Sequence, residues 1–423
     1  MWKNILPAAV VALISSVGIT AASAATTAPS SSAGSARTAA VPAPFVHPGI
    51  LTSRAQLDLV KAKLAAGAQP WTAAVTRATS SRFGKTTYTA HPVAVIDCTA
   101  DQTGCNSEQD DAIAAYTQAL LWYYTGDRAY AQASIRIMNA WSATMTGSNG
   151  NQAHLNHAWA AETFPRAAEI IRYTYTPAAD ETALNVTAFS RMLTQVMLPQ
   201  IQAGTTWAVN SAGNWDLSMA DGQINIAIFT DDRTLFDRAV NRWRARVPAY
   251  IYLTGDGARP APIPNKAPET AVQQKCGWLS QPANCTPPAS FAYQNGQSAE
   301  TCRDISHTVL GLEAMMNGAE TARIQGVDLY GEQRTRIVAG YEFHARYSAA
   351  SLDGGAIPAS LCTGQPLPIG GNGWALGWEI AYNHYAVRQT TAMLYTRAML
   401  NRVRPTGAVL HMAFETLTHA GGQ

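Results

Sequence analysis

Apolar positions recur with a helical period along most of this chain. In QDDAIAAYTQALLWYYTGD, Ile113, Tyr116, Leu120 and Tyr123 or Tyr124 keep the 3.6-residue spacing of one helix face, and Gly126 stands where such a helix would end. DRAYAQASIRIMNAW follows at once, so the pattern predicts two helices joined by a tight turn. Similar pairs run through ADETALNVTAFSRMLTQVMLPQIQAG, DGQINIAIFTDDRTLFDRAVNRWRARVPAYIYL, SHTVLGLEAMMNGAETARIQG and VDLYGEQRTRIVAGYEFHARYSA. Strand-like alternation is scarce. TGDRAYAQASIRIMNAW and TDDRTLFDRAVNRW each open on Thr-x-Asp-Arg and close on Trp, a hint of a repeated helical hairpin.

The N-terminal end departs from this pattern. Residues 1–24 join an early lysine to a broken apolar run and the small-residue triplet Ala22-Ser23-Ala24, the layout of a secretory signal peptide. Residues 25–44 are rich in Ala, Ser, Thr and Pro, too poor in apolar surface to fold, and read as a flexible linker. From 45 to 423 the composition is steady, which predicts a single domain. Successive hairpins over that length suggest an all-α fold, an incomplete α/α toroid in which inner helices line a cleft and outer helices shield them. Its site would lie on the long Gly-, Asn-, Trp- and His-rich connections entering the inner helices.

Charge and cysteine content narrow the setting. A formal net charge of +2 with mixed signs gives no basic field for nucleic acid, and no second apolar run could cross a bilayer. Six cysteines suit an oxidising compartment. Of fifteen possible pairings, the spacing favours Cys98 with Cys105 and Cys276 with Cys285, leaving Cys302 with Cys362. Zinc is the rival use, but no CxxC or HExxH is present. The expectation is a secreted monomer, periplasmic if exported without release, with no metal or cofactor.

Four stretches hold the candidate chemistry. SFAYQNGQSAETCRDISHTVLGL gathers Tyr293, Glu300, Arg303, Asp304 and His307. If Ala299 onward is helical, Glu300, Arg303 and His307 share a face, which is either a solvated ion-pair stripe or one wall of a site. NGNQAHLNHAWAAETFPRAAEII places Asn156 beside His157 at a helix start. In NSAGNWDLSMADGQINIAIF, Asn214 either caps a helix or, with Trp215, presents an amide and an indole face to a sugar. In GGNGWALGWEIAYNHYAVRQ, Trp374, Trp378 and Tyr382 recur at i, i+4 and i+8 with Asn383 and His384 interleaved, either a core stripe or a carbohydrate platform.

Amides, imidazoles, an arginine and tyrosines, with few close carboxylate pairs, fit β-elimination on a uronic acid polymer. Donors such as Asn, His and Arg neutralise the uronate carboxylate so that the C5 proton can leave, and a second group protonates the departing glycosidic oxygen. The Asn156-His157 pair, Gly213-Asn214-Trp215, ETCRDISHTVLGL and GWEIAYNHY, with HPGILTSRAQLDLVKAKL at the start, resemble the alginate lyase superfamily of polysaccharide lyases, from about Val46 to about Arg402. The resemblance implies an α/α toroid, an acidic polysaccharide of alginate or glucuronan type as substrate, and no cofactor. It also implies that Asn156, His157 and Arg303 contact the uronate, with Asn214 and His307 as further candidates and Tyr382 or Tyr293 as proton carrier. Trp215, Trp374, Trp378, Asn383 and His384 would bind sugar, and Glu300 and Asp304 would orient their neighbours. A glycoside hydrolase using Asp216 with Glu300 or Asp304, and a non-catalytic carbohydrate-binding protein, are the competing readings.

Overall fold

The computed structural model describes residues 43–99, 102–207, 213–353, 361–362 and 375–421, and residues 43–423 form one compact unit. The proposed signal peptide and most of the linker, along with Trp374, lie outside the described residues.

Sixteen α-helices are described. The chain enters through α1 (Arg54–Ala65) and α2 (Trp71–Ser80), then β1 (Val95–Asp97) leads to α3 (Cys105–Thr125) and α4 (Arg128–Thr144). β2 (Gly147–Asn149) pairs with β1 in parallel, and α5 (Gln152–Thr174) follows. The return path is α6 (Val186–Arg191), π-helical turns over Met192–Met197, and α7 (Leu198–Trp207). Next come α8 (Gly213–Phe229), α9 (Arg233–Tyr250), α10 (Ala271–Trp278), α11 (Ile305–Ile324), α12 (Leu329–Glu332) and α13 (Arg334–Leu352). After α14 (Glu379–Ala381), π-helical turns over Tyr382–Arg388, and α15 (Leu394–Val403), the antiparallel hairpin β3 (Ala408–Val409) and β4 (Met412–Ala413) precedes α16 (Glu415–His419).

The α3–α4 and α8–α9 hairpins form as expected, whereas ADETALNVTAFSRMLTQVMLPQIQAG makes one continuous helical run over residues 186–207 and SHTVLGLEAMMNGAETARIQG the single helix α11. Helices α3, α5, α8 and α11 pack side by side as the inner layer, with α4 and α9 outside them. Early residues contact early residues, as Glu108 does Asn156, and later residues contact later ones, as Asn317 does Glu162. The inner helices therefore run parallel with their N-terminal ends on one rim. Each is buried nearly all round, so it carries no single apolar stripe, whereas the outer helices keep a wet face. The Thr-x-Asp-Arg repeat marks the return from inner to outer helix: Asp127 accepts the Ala129 N–H at 2.9 Å and Asp232 accepts the Leu235 N–H at 2.9 Å, capping α4 and α9. The three expected disulfides, Cys98–Cys105, Cys276–Cys285 and Cys302–Cys362, all form. No described helix is long and apolar enough to cross a membrane.

Two glycines set the rim of α8 and α11. A Cβ at Gly213 would lie 2.0 Å from the Tyr250 ring, and one at Gly311 would lie 2.1 Å from its hydroxyl oxygen. Their absence lets Tyr250, at the end of α9, wedge between the two helices and reach Glu300 Oε2 at 3.2 Å.

Candidate active site

The rim assembles two imidazole–carboxylate pairs. On α5, His157 Nδ1 lies 2.7 Å from Glu108 Oε1 of α3, both side chains being fully buried. Asn156 donates its amide N–H to the other Glu108 oxygen and accepts from Gln109. An ionised carboxylate only accepts, so Glu108 fixes the proton on His157 Nδ1 and leaves Nε2, which has no partner among the described residues, for other work. At the start of α11, Asp304 accepts the His307 backbone N–H at 2.7 Å and holds His307 Nδ1 at 2.5 Å. Burial pushes the Asp304 carboxyl up, but its bonds to His307 and the charges of His307 and Arg303 outweigh this and leave it below the ordinary range.

Glu300 lies four residues before Asp304 and joins α8 to this turn. It takes the Asn214 backbone N–H at 2.9 Å and the Asn214 side-chain N–H at 2.5 Å, and Arg303 Nη1 stands 3.5 Å away. Burial raises its pKa against the lowering effect of Arg303 and Asn214. Arg303 is 41% exposed and His307 is 35% exposed, so these two face solvent, whereas Asn156, His157, Glu108, Asn214 and Glu300 are buried.

Several sequence expectations change. No helix starts at Ala299. Residues 299–303 form turns, and Asp304 caps a helix that begins at Ile305, because its carboxylate can take the His307 N–H only from outside the helix. Arg303 and Glu300 still pair, through the turn. Asn214 does not cap α8: its side chain reaches Glu300 instead. Asp216 is engaged by Arg242 at 2.6 Å and Arg246 at 3.3 Å on α9, so its carboxylate is not turned toward Glu300 or Asp304 as a hydrolase pair would need.

The aromatic stretch is mostly core. Trp378 is fully buried, edge-on to Tyr341. Asn383 donates to the carbonyls of His419 and Gly421. His384 stacks on Tyr330 with ring centroids 3.6 Å apart, and burial lowers its pKa to about 4. Tyr330 and His419 both approach Glu320, thirteen residues along α11 from His307. At 1.5 Å per residue that is about 20 Å, so Asn383 and His384 lie toward the opposite end of the inner layer from the rim.

Neither tyrosine candidate joins the rim cluster. Tyr293 packs among Tyr252, Trp278 and Phe291 in a small core that Ala299 and Cys302 border, its hydroxyl buried without a partner among the described residues and its pKa raised by burial. The Tyr382 ring lies 5.9 Å from the Arg404 guanidinium, which is bound to Glu379. Trp215 on α8 is half-buried against the main core. The residue that sequence reading missed is Glu108. A Ser-Glu-Gln-Asp-Asp run looks like a solvated first turn, yet positions 108, 112 and 116 share the face on which Tyr116 had marked the core.

With this geometry in hand, comparison with known proteins gives the class. The model of the alginate lyase family matches residues 93–261, which include Glu108, Asn156, His157 and Asn214. No curated protein matches. Among solved structures, an alginate lyase from Bacteroides ovatus superposes with TM-score 0.55 at 15% identity, covering 89% of this chain and 100% of its own. Alginate lyase A1-III from Sphingomonas species A1 gives TM-score 0.55 at 13% identity, covering 86% of this chain and 94% of its own. The fold is thus the α/α toroid of these proteins, and the family match supports a polysaccharide lyase. The resemblance is to the alginate lyase family.

Proposed function

We propose that this chain cleaves a uronic-acid polymer of alginate or glucuronan type by β-elimination at the rim of α5, α8 and α11. One observation carries the reading: two imidazoles, each held through Nδ1 by a carboxylate, lie near the N-terminal ends of the parallel helices α5 and α11, and Arg303, four residues before the second, is exposed. Arg303 and Asn156 neutralise the uronate carboxylate and so stabilise the enolate-like charge that forms when the C5 proton leaves. His307, its Nδ1 proton held on Asp304, presents Nε2 as the base. His157, its Nδ1–H held on Glu108, carries a second proton on Nε2 and gives it to the departing glycosidic oxygen as the C4–O bond breaks, while the C5 proton stays on His307 until solvent takes it. This shifts proton transfer from the tyrosines to the imidazoles, because among the described residues the Tyr293 hydroxyl has no hydrogen-bond partner and the Tyr382 ring lies against Arg404. Residues 1–24 direct export and 25–44 link to the catalytic unit, so the enzyme meets its polymer outside the cytoplasm.

The test is a screen of the purified protein on alginate blocks, glucuronan, pectate and glycosaminoglycans, read by ultraviolet absorbance of the unsaturated uronate. Activity on one of these, lost in Arg303→Ala and His307→Ala with helical circular dichroism unchanged, supports the reading. New reducing ends without that absorbance would indicate hydrolysis instead. Full activity in both variants would remove Arg303 and His307 from the mechanism.

A further inference from the structure

The β3–β4 hairpin carries a histidine into the middle of the toroid. Its tip is Leu410-His411, and Leu410 takes a left-handed backbone (φ 55). His411 is fully buried, its ring lying nearly parallel to the Trp159 indole, 14° between planes with centroids 6.1 Å apart. Its backbone carbonyl accepts from Arg166 Nη1 at 3.0 Å, which pins the hairpin from below. Arg166 in turn reaches Asp221 at 3.2 Å and Glu162 at 3.7 Å.

Register fixes the height of this contact. Trp159 is one helical turn along α5 from Asn156, and Leu310, whose backbone faces the His411 ring, is one turn along α11 from His307. The imidazole and the indole therefore sit directly under the rim, between the candidate site and the buried Arg166 cluster.

Their polar atoms are largely unspent. Apart from the Leu310 backbone beside it, the His411 ring has no hydrogen-bond partner among the described residues, and Trp159 Nε1 has none. Above them, His157 Nε2 has none either. Burying such groups unpaired is unfavourable, and a leucine at the hairpin tip would fill the same space without that cost. The unpartnered nitrogens of His157 and Trp159, with the side of the His411 ring turned from Leu310, point to a polar ligand under the rim.

We propose that His411 is a positioning residue for the uronate cleft, holding the Trp159 indole as the floor on which a sugar ring rests and its hydroxyls find a donor. The proposal rests on the lyase reading above. Trp159 keeps 8% exposure whereas His411 keeps none, so His411 acts through Trp159.

The experiment compares wild type, His411→Leu, His411→Gln, Trp159→Phe and the His411→Leu/Trp159→Phe double variant on the uronate polymer that wild type cleaves, with unfolding midpoints measured alongside. Loss of one such hydrogen-bonding contact corresponds to a rise in KM of about ten-fold for His411→Leu, with kcat within about three-fold. The unfolding midpoint should not fall, His411→Gln should recover most of the KM, and the double variant should be no worse than Trp159→Phe. If His411→Leu does not fold, His411→Asn takes its place with the same readout. Wild-type KM in the substituted protein overturns the proposal, as does equal damage in Leu and Gln variants that tracks lost stability. No unsaturated product from wild type on any uronate polymer overturns the lyase reading and this inference together, whereas an active wild type with an unaffected His411→Leu overturns this inference alone.

Discussion

Replacing Glu108 with alanine tests the rim most directly. Its carboxylate is fully buried and accepts from His157 Nδ1 at 2.7 Å on one oxygen and from Asn156 on the other. Removal leaves two buried donors without partners, each costing about 1–3 kcal/mol, so the loss should total about 2–6 kcal/mol. That is a large part of the roughly 5–15 kcal/mol by which a domain is ordinarily stable. Glu108→Gln keeps an acceptor for His157 but turns an amide N–H toward Asn156, and should lose about half as much. Urea unfolding followed by circular dichroism measures both, and a double-mutant cycle with Asn156→Ala isolates the shared contact. Turnover should fall further than stability accounts for, by about 100-fold, because His157 loses the group that fixes its proton on Nδ1. If Glu108→Ala unfolds within about 1 kcal/mol of wild type, the buried pair does not hold the rim and the argument built on it fails.

Three other outcomes are expected. Removing the Cys302–Cys362 bridge, which spans 60 residues, should cost about 4 kcal/mol by loop-closure entropy, against about 2.5 kcal/mol for either local bridge; equal losses by denaturant unfolding would count against that ordering. Tyr293→Phe and Tyr382→Phe should keep kcat within about three-fold, since neither hydroxyl belongs to the rim cluster, and a loss of about 100-fold in either would return proton transfer to that tyrosine. His344 is buried with its pKa lowered from 6.5 to about 4, chiefly by burial, so its folded form resists the proton that the unfolded chain takes up. Its contribution is complete above pH 6.5 and lost as pH falls toward 4. Wild type should therefore weaken relative to His344→Gln by about 3 kcal/mol across that window, at about 1.4 kcal/mol per pH unit, and a pH-independent difference in unfolding free energy would refute the assignment.

Hairpin periodicity, the Thr-x-Asp-Arg repeat and the short Cys98–Cys105 and Cys276–Cys285 spacings are local signals, set within a few residues by backbone hydrogen bonding and loop length, and so they were legible in the chain, although the capping role of Asp127 and Asp232 was not read from them. The toroid followed from them. Asn156, His157, Arg303 and His307 stand out as candidates for a related reason: polar side chains in Gly- and Asn-rich stretches entering apolar helices have few structural uses. What the sequence could not decide was which of them meet. Glu108 and His157 are 49 residues apart, and Asn214 and Glu300 are 86 apart. Those contacts exist because α3, α5, α8 and α11 lie parallel with their N-terminal ends on one rim. Parallel packing likewise carried Asn383 and His384 toward the far end of the inner layer, although their local pattern matched that of the rim stretches. The sequence thus determined the helices, their order and the kinds of side chain at their ends; the tertiary structure decided which carboxylate holds which imidazole, because that depends on the alignment of helices distant along the chain.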